Sequence, residues 1–148
     1  MSEQQRPVVR LLAAAAVAGS VAVLATGCSV VQRQTGDAWA VTYEVSVDRP
    51  SGAELSDVRV EGAERRGDVP EVHRLGSEET GAGDGDGSLW SHDTIVLAEQ
   101  RASVRATPGA GATATCRILL DGKREIARET SVRPGGVVRC RVATPAFD

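Results

Sequence analysis

Ala38-Trp39-Ala40-Val41-Thr42-Tyr43-Glu44-Val45-Ser46-Val47-Asp48 carries the clearest pattern in the chain. Trp39, Val41, Tyr43, Val45 and Val47 fall on one face of an extended backbone, and Thr42, Glu44, Ser46 and Asp48 fall on the other. Strict period-two alternation of β-branched and aromatic residues with polar ones is the mark of a half-buried strand. Arg49-Pro50-Ser51-Gly52 ends it with turn chemistry.

The same pattern recurs downstream, with no helical periodicity between the strands. A shorter strand is expected near Asp57 to Glu61, with Val58 and Val60 inward, and Val72 and Leu75 are placed at a sheet edge. Thr94-Ile95-Val96-Leu97 reads as a strand led into by Leu89-Trp90-Ser91-His92-Asp93. Ala102 to Thr107 alternates with Val104 inward and Ser103 and Arg105 outward, until Pro108-Gly109 breaks it. Ala114, Cys116, Ile118 and Leu120 share a face opposite Thr115, Arg117 and Leu119. Asp121-Gly122 is a hairpin signal, and Lys123 to Val132 forms the return strand. After Pro134-Gly135-Gly136 the last strand sets Val138, Cys140 and Val142 inward and Arg139 and Arg141 outward.

Both downstream cysteines therefore lie on core faces. Hairpin pairing across Asp121-Gly122 would set Cys116 near Ala127, and pairing across Pro134 to Gly136 would set Cys140 near that residue from its other side. Two strands flanking a third stand about 9.6 Å apart, beyond the reach of a disulfide. A Cys116–Cys140 bridge thus requires one of these pairings to fail, and a crossing between two sheets is the simplest solution. About seven short strands with such a bridge predict an all-β fold, an immunoglobulin-like β-sandwich.

The first 27 residues have a different character. Arg6 and Arg10 precede the Ala/Val/Leu-rich run Leu11 to Ala25, which ends in Ala25-Thr26-Gly27-Cys28. A basic start, an apolar run of signal-peptide length and small residues before a cysteine predict a lipoprotein signal peptide, with Cys28 as the lipidated residue. Ala25, not Leu, stands three places before the cysteine. The rival reading is an uncleaved anchor, because Val30 and Val31 extend the apolar stretch to nearly spanning length. Both readings put residues 38–148 on the extracytoplasmic face of the cell membrane, after a polar tether over residues 28–37.

That location explains the cysteine count. Three cysteines are odd for an exported chain, but assigning Cys28 to lipid leaves Cys116 and Cys140 as an even pair in an oxidising compartment. Two isolated thiols with no nearby His lack a metal ligand set. About 120 residues remain after the leader, enough for one domain with a modest core. They carry 19 acids and 15 bases, a net charge of −4, and such a balance argues against nucleic acid as a partner.

Two stretches tempt a chemical reading. Ser91-His92-Asp93 has the residue types of a hydrolase triad, but neighbours on a strand point to opposite faces and cannot relay a proton through one imidazole. Asp84-Gly85-Asp86-Gly87-Ser88 hints at calcium, but Ile95 occupies the place where an EF-hand loop needs Glu. Gly76 to Ser88 as a whole reads as a mobile acidic loop with too little apolar surface to offset ordering entropy. No catalytic residue, metal site or cofactor is expected, and the chain is not read as an enzyme.

Val41-Thr42-Tyr43-Glu44-Val45, Leu89-Trp90-Ser91-His92 and Cys116-Arg117-Ile118-Leu119-Leu120-Asp121-Gly122-Lys123, followed by Cys140, resemble the small mycobacterial membrane protein family, MmpS. The resemblance extends from Trp39 to Val142. It implies an extracytoplasmic β-sandwich accessory to a resistance-nodulation-division (RND-type, MmpL-like) transporter that exports lipid or siderophore cargo. This chain departs from the family in having a lipobox in place of a transmembrane anchor, in lacking Pro before Trp39, and in the extra Gly76 to Ser88 segment. The alternative is a free-standing envelope lipoprotein that binds a ligand or cell-wall component.

Overall fold

The computed structural model describes residues 36–148. Cys28, its leader and most of the tether lie outside the described residues. Among the described residues nine strands run in chain order: β1 (Ala38–Val47), β2 (Glu54–Gly62), β3 (Glu71–Glu79), β4 (Gly81–Ala82), β5 (Ser88–Leu97), β6 (Arg101–Pro108), β7 (Ala114–Leu120), β8 (Arg124–Thr130) and β9 (Val138–Ala143). They form two antiparallel sheets, ordered β4-β5-β1-β7-β8 and β3-β2-β6-β9. This is the all-β sandwich that the alternating sequence predicts.

The core is the set of inward faces. Val41, Tyr43, Val45 and Val47 of β1 pack with Leu55, Val58 and Val60 of β2, Ala102, Val104 and Ala106 of β6, and Ala114, Cys116, Ile118 and Leu120 of β7. Small and β-branched side chains let the two inner faces approach closely, which suits a chain with few aromatic residues.

Among the ties that lace the sheets together, three are spread across their width. On one flank the end of β2 leaves its own sheet, so that Ala63 exchanges backbone hydrogen bonds with Ile95 of β5 at 2.9 and 3.0 Å. Thr94 Oγ1 also donates to the Ala63 carbonyl at 3.0 Å. In the middle, the Tyr43 hydroxyl crosses from β1, donates to the Glu61 carbonyl and accepts from the Ser103 amide at 3.0 Å. On the other flank the Cys116–Cys140 disulfide joins β7 to β9, with the Cα atoms 5.9 Å apart. The bridge spans the sandwich because the Pro134-Gly135-Gly136 hairpin does not form: β8 stays on β7, while β9 crosses to pair with β6.

Four expectations are corrected. Cys116 stands opposite Glu129, and Ala127 faces Ile118 instead, because the ladder starts one residue late, with Leu120 opposite Arg124, and a bulge between Ile118 and Leu119 adds a second residue. Asp121 and Gly122 both take positive φ, 52° and 65°, as the tight turn requires. The Thr94–Leu97 strand begins six residues earlier, as one ten-residue β5 that contains Trp90 and His92. The near-Asp57 strand is longer, Glu54–Gly62, and contains a bulge. Finally, much of the expected Gly76–Ser88 loop is strand. β3 runs through to Glu79 and β4 pairs with β5, leaving a short turn at 83–87. These edge strands are ordered by backbone hydrogen bonds and by Thr80, whose hydroxyl and amide both donate to the Ala53 carbonyl. Leu75 packs against the core at the middle of β3, but past it apolar burial, the signal that the sequence lacks here, is not what holds them.

Candidate functional site

The outer faces of the two sheets handle charge in opposite ways. On the β1 sheet, Glu44 and Arg117 are direct cross-strand partners and form an ion pair. Arg117 also lies 3.7 Å from Glu125, and Arg128 grips Glu125 with two hydrogen bonds of 2.9 and 2.8 Å. That Arg128 fork, more than the Arg117 charge, holds the Glu125 carboxyl below the ordinary carboxylate range. Cations and anions alternate across this face and neutralise one another.

The outer face of the β2 sheet is cationic. Ladder register places Arg74, Arg59, Arg105 and Arg139 as successive cross-strand partners on β3, β2, β6 and β9. The next row runs Val72, Glu61, Ser103 and Arg141, and Arg101 follows toward the strand end. Like charges directly opposite one another on a sheet are destabilising, so the row demands compensation. Asp57 supplies part of it. A bulge in β2 gives Asp57 a φ of 50° and keeps its carboxylate on the outer face, 2.7 Å from Arg59 and 3.0 Å from Arg105. A left-handed Asp costs on the order of 1 kcal/mol, and bulges commonly serve to re-aim a side chain in this way. Glu61 is taken by Arg101 at 3.1 Å.

The compensation is incomplete. Among the described residues, Arg74, Arg139 and Arg141 face no carboxylate, and the buried Nε of Arg105 has no hydrogen-bond acceptor. Between these side chains lies an open hollow of about 180 Å³, lined by Arg59, Glu61, Val72, Ser103, Arg105, Arg139 and Arg141. Such a surface can hold an oxyanion by charge-assisted hydrogen bonds.

The sites expected from sequence fall elsewhere. Cys116 and Cys140 come together as the inter-sheet bridge, whereas Cys28 lies outside the described residues. Ser91 and Asp93 are exposed on the outer face of β5, where Asp93 accepts from Thr42 Oγ1 at 2.7 Å. His92 faces the other way, with its ring 6.0 Å from that of Trp90. The three are not brought together. Asp84 and Asp86 are exposed at the 83–87 turn, and among the described residues no group of three or more His, Cys, Asp or Glu is placed to hold a metal ion. The arginine face was missed as a unit. Its signal was outward arginines at alternate positions on separate strands, but only the strand order aligns them.

No family model matches the chain, and no curated protein matches it.

Proposed function

We propose that the chain is a non-enzymatic binding module, held at the extracytoplasmic face of the cell membrane by lipid on Cys28, whose working surface is the arginine face of the β2 sheet. As the resemblance to MmpS implies, it would act as an accessory to an RND-type transporter that exports lipid or siderophore cargo. The observation that supports the binding reading is the row of arginines with too few carboxylates to neutralise it. A rigid cationic sheet face suits an acidic partner surface or an anionic cargo, and holding either requires no nucleophile or general base. The second reading, a free-standing envelope lipoprotein that binds a ligand, draws support from the hollow among the same arginines, which has room for a small group.

Photo-crosslinkers placed at Val72, at the edge of the arginine face, and at Ser46, on the outer face of the other sheet, separate the two readings in native membranes. Val72 is 56% exposed, so the probe stands clear of the core. Capture of an RND-type transporter from Val72 and not from Ser46 is the expected result. Recovery of the chain alone from both positions would remove the transporter and leave the free-standing reading.

The anchor has its own test. Cys28→Ala should abolish incorporation of a fatty-acid probe into the protein, and unchanged labelling in that variant would show that Cys28 is not the acceptor.

A further inference from the structure

We propose that the hollow between Arg59, Arg105, Arg139 and Arg141 is a binding site for a phosphate group. The inference rests on the reading of the arginine face as the binding surface and adds the chemistry of what it holds. Four guanidinium groups converge there from three adjacent strands, with Arg59, Arg105 and Arg139 in direct cross-strand register. Asp57 is shared between Arg59 and Arg105, so neither is fully matched. Glu61 borders the hollow, but its carboxylate is engaged by Arg101.

Arg105 supplies the most specific pointer. One end of its guanidinium is fixed on Asp57, while its Nε is buried without an acceptor. An unsatisfied charged donor carries a desolvation cost, so the Arg105 charge beside the hollow stays under-compensated. Arg139 and Arg141 stand beside it, exposed and without acidic partners among the described residues.

The stoichiometry favours phosphate over carboxylate. One carboxylate is satisfied by a single arginine fork, whereas a phosphate monoester carries a charge of about −1.5 to −2 and three strong acceptor oxygens. That matches several guanidiniums at once. The hollow, at about 180 Å³, admits the phosphate group and leaves the rest of the ligand outside, since pockets that enclose a drug-sized molecule measure roughly 300–1,000 Å³. The phosphate can belong to a lipid that ends in a phosphomonoester, such as phosphatidic acid, or to a free phosphate ester.

The test uses the full chain in neutral maltoside micelles, titrated calorimetrically with glycerol 3-phosphate. Saturable binding is expected, weakened about tenfold or more in Arg139→Gln/Arg141→Gln, since each lost charge-assisted bond is worth about a factor of ten or more. The double variant Arg124→Gln/Arg128→Gln removes the same charge from the opposite sheet and should bind as the parent does. Both arginine pairs are exposed, and circular dichroism confirms that the variants are folded. Nanodiscs containing phosphatidic acid identify the source. Loss of glycerol 3-phosphate binding there means that headgroups occupy the site, and unchanged binding means that a free ester is the ligand.

The proposal is overturned by absence of saturable binding in micelles, by equal weakening in the two double variants, or by preference for a hexaglutamate peptide over glycerol 3-phosphate. Transporter capture from Val72 without phosphate binding would overturn this inference alone. Phosphate binding without capture would overturn the transporter and leave the site.

Discussion

Cys116→Ser and Cys140→Ser should each lower the free energy of unfolding by about 2–5 kcal/mol, read as a shift of the urea midpoint. The bridge closes a loop of sequence separation 24, worth roughly 3 kcal/mol on the chain-entropy model. Its position raises the stakes. Among the described residues β9 is an edge strand that pairs with β6 alone, and besides the chain leading in from β8 the disulfide is its covalent tie to the opposite sheet. Both cysteines are fully buried, and each single variant leaves a thiol and a hydroxyl in an apolar core. For a domain whose whole stability is about 5–15 kcal/mol, the loss is a large share of the total. Non-reducing mass mapping of the parent should find Cys116 and Cys140 in one peptide pair. A single variant with an unshifted midpoint would show that the bridge contributes nothing to folding.

The second large effect centres on Tyr43, the only tyrosine in the chain. Burial pushes its phenol well above the ordinary tyrosine value. The Ser103 amide works in the other direction, and the nearby Glu61 charge adds to the rise. The folded protein therefore keeps the phenolic proton where the unfolded chain, ionising near pH 10, releases it. Stability contributed by Tyr43 is complete below about pH 10 and falls as pH rises toward the folded value, by about 1.4 kcal/mol per pH unit. Tyr43→Phe should cost about 1–3 kcal/mol at neutral pH, because the Ser103 N–H and the Glu61 carbonyl lose their buried partner. The same variant should flatten the alkaline slope. With a single tyrosine, tyrosinate absorbance in the near ultraviolet should appear only as the protein unfolds; titration near pH 10 in a folded protein would refute the argument.

Legibility in the sequence followed the physics of each element. β1, β6, β7 and β9 bury one face against the other sheet, so their apolar residues alternate and their inward phase was readable, including that of both cysteines. β3 was readable only as a sheet edge, through Val72 and Leu75, and β4 was not readable. As edge strands with exposed Glu71, Val72 and Arg74, they are held by ladder hydrogen bonds that any sequence can make. The bulge at Asp57 hid the start of β2, because an extra residue breaks the period of two. The arginine face depended on something no local window contains. Arg105, Arg139 and Arg141 were each assigned outward, yet they become neighbours of Arg59 only through pairings between strands far apart in the chain. Cysteine count and phase were enough for the bridge, since covalent geometry excluded the simple meander.

The central place of β1 has a mechanical meaning. A pull transmitted through the residues ahead of Ala38 enters the domain along a strand flanked on both sides, by β5 and by β7. Against a load acting along the axis of β1, its hydrogen bonds to each neighbour lie across the line of force, so they are loaded together in shear instead of being peeled open one by one. Toward the other end of β1, Val45 lies beside Cys116 in the ladder, and the disulfide there passes the load to the second sheet. Resistance to extension is governed by the unfolding barrier more than by equilibrium stability. A domain held by its amino-terminal strand in this way would yield late and all at once.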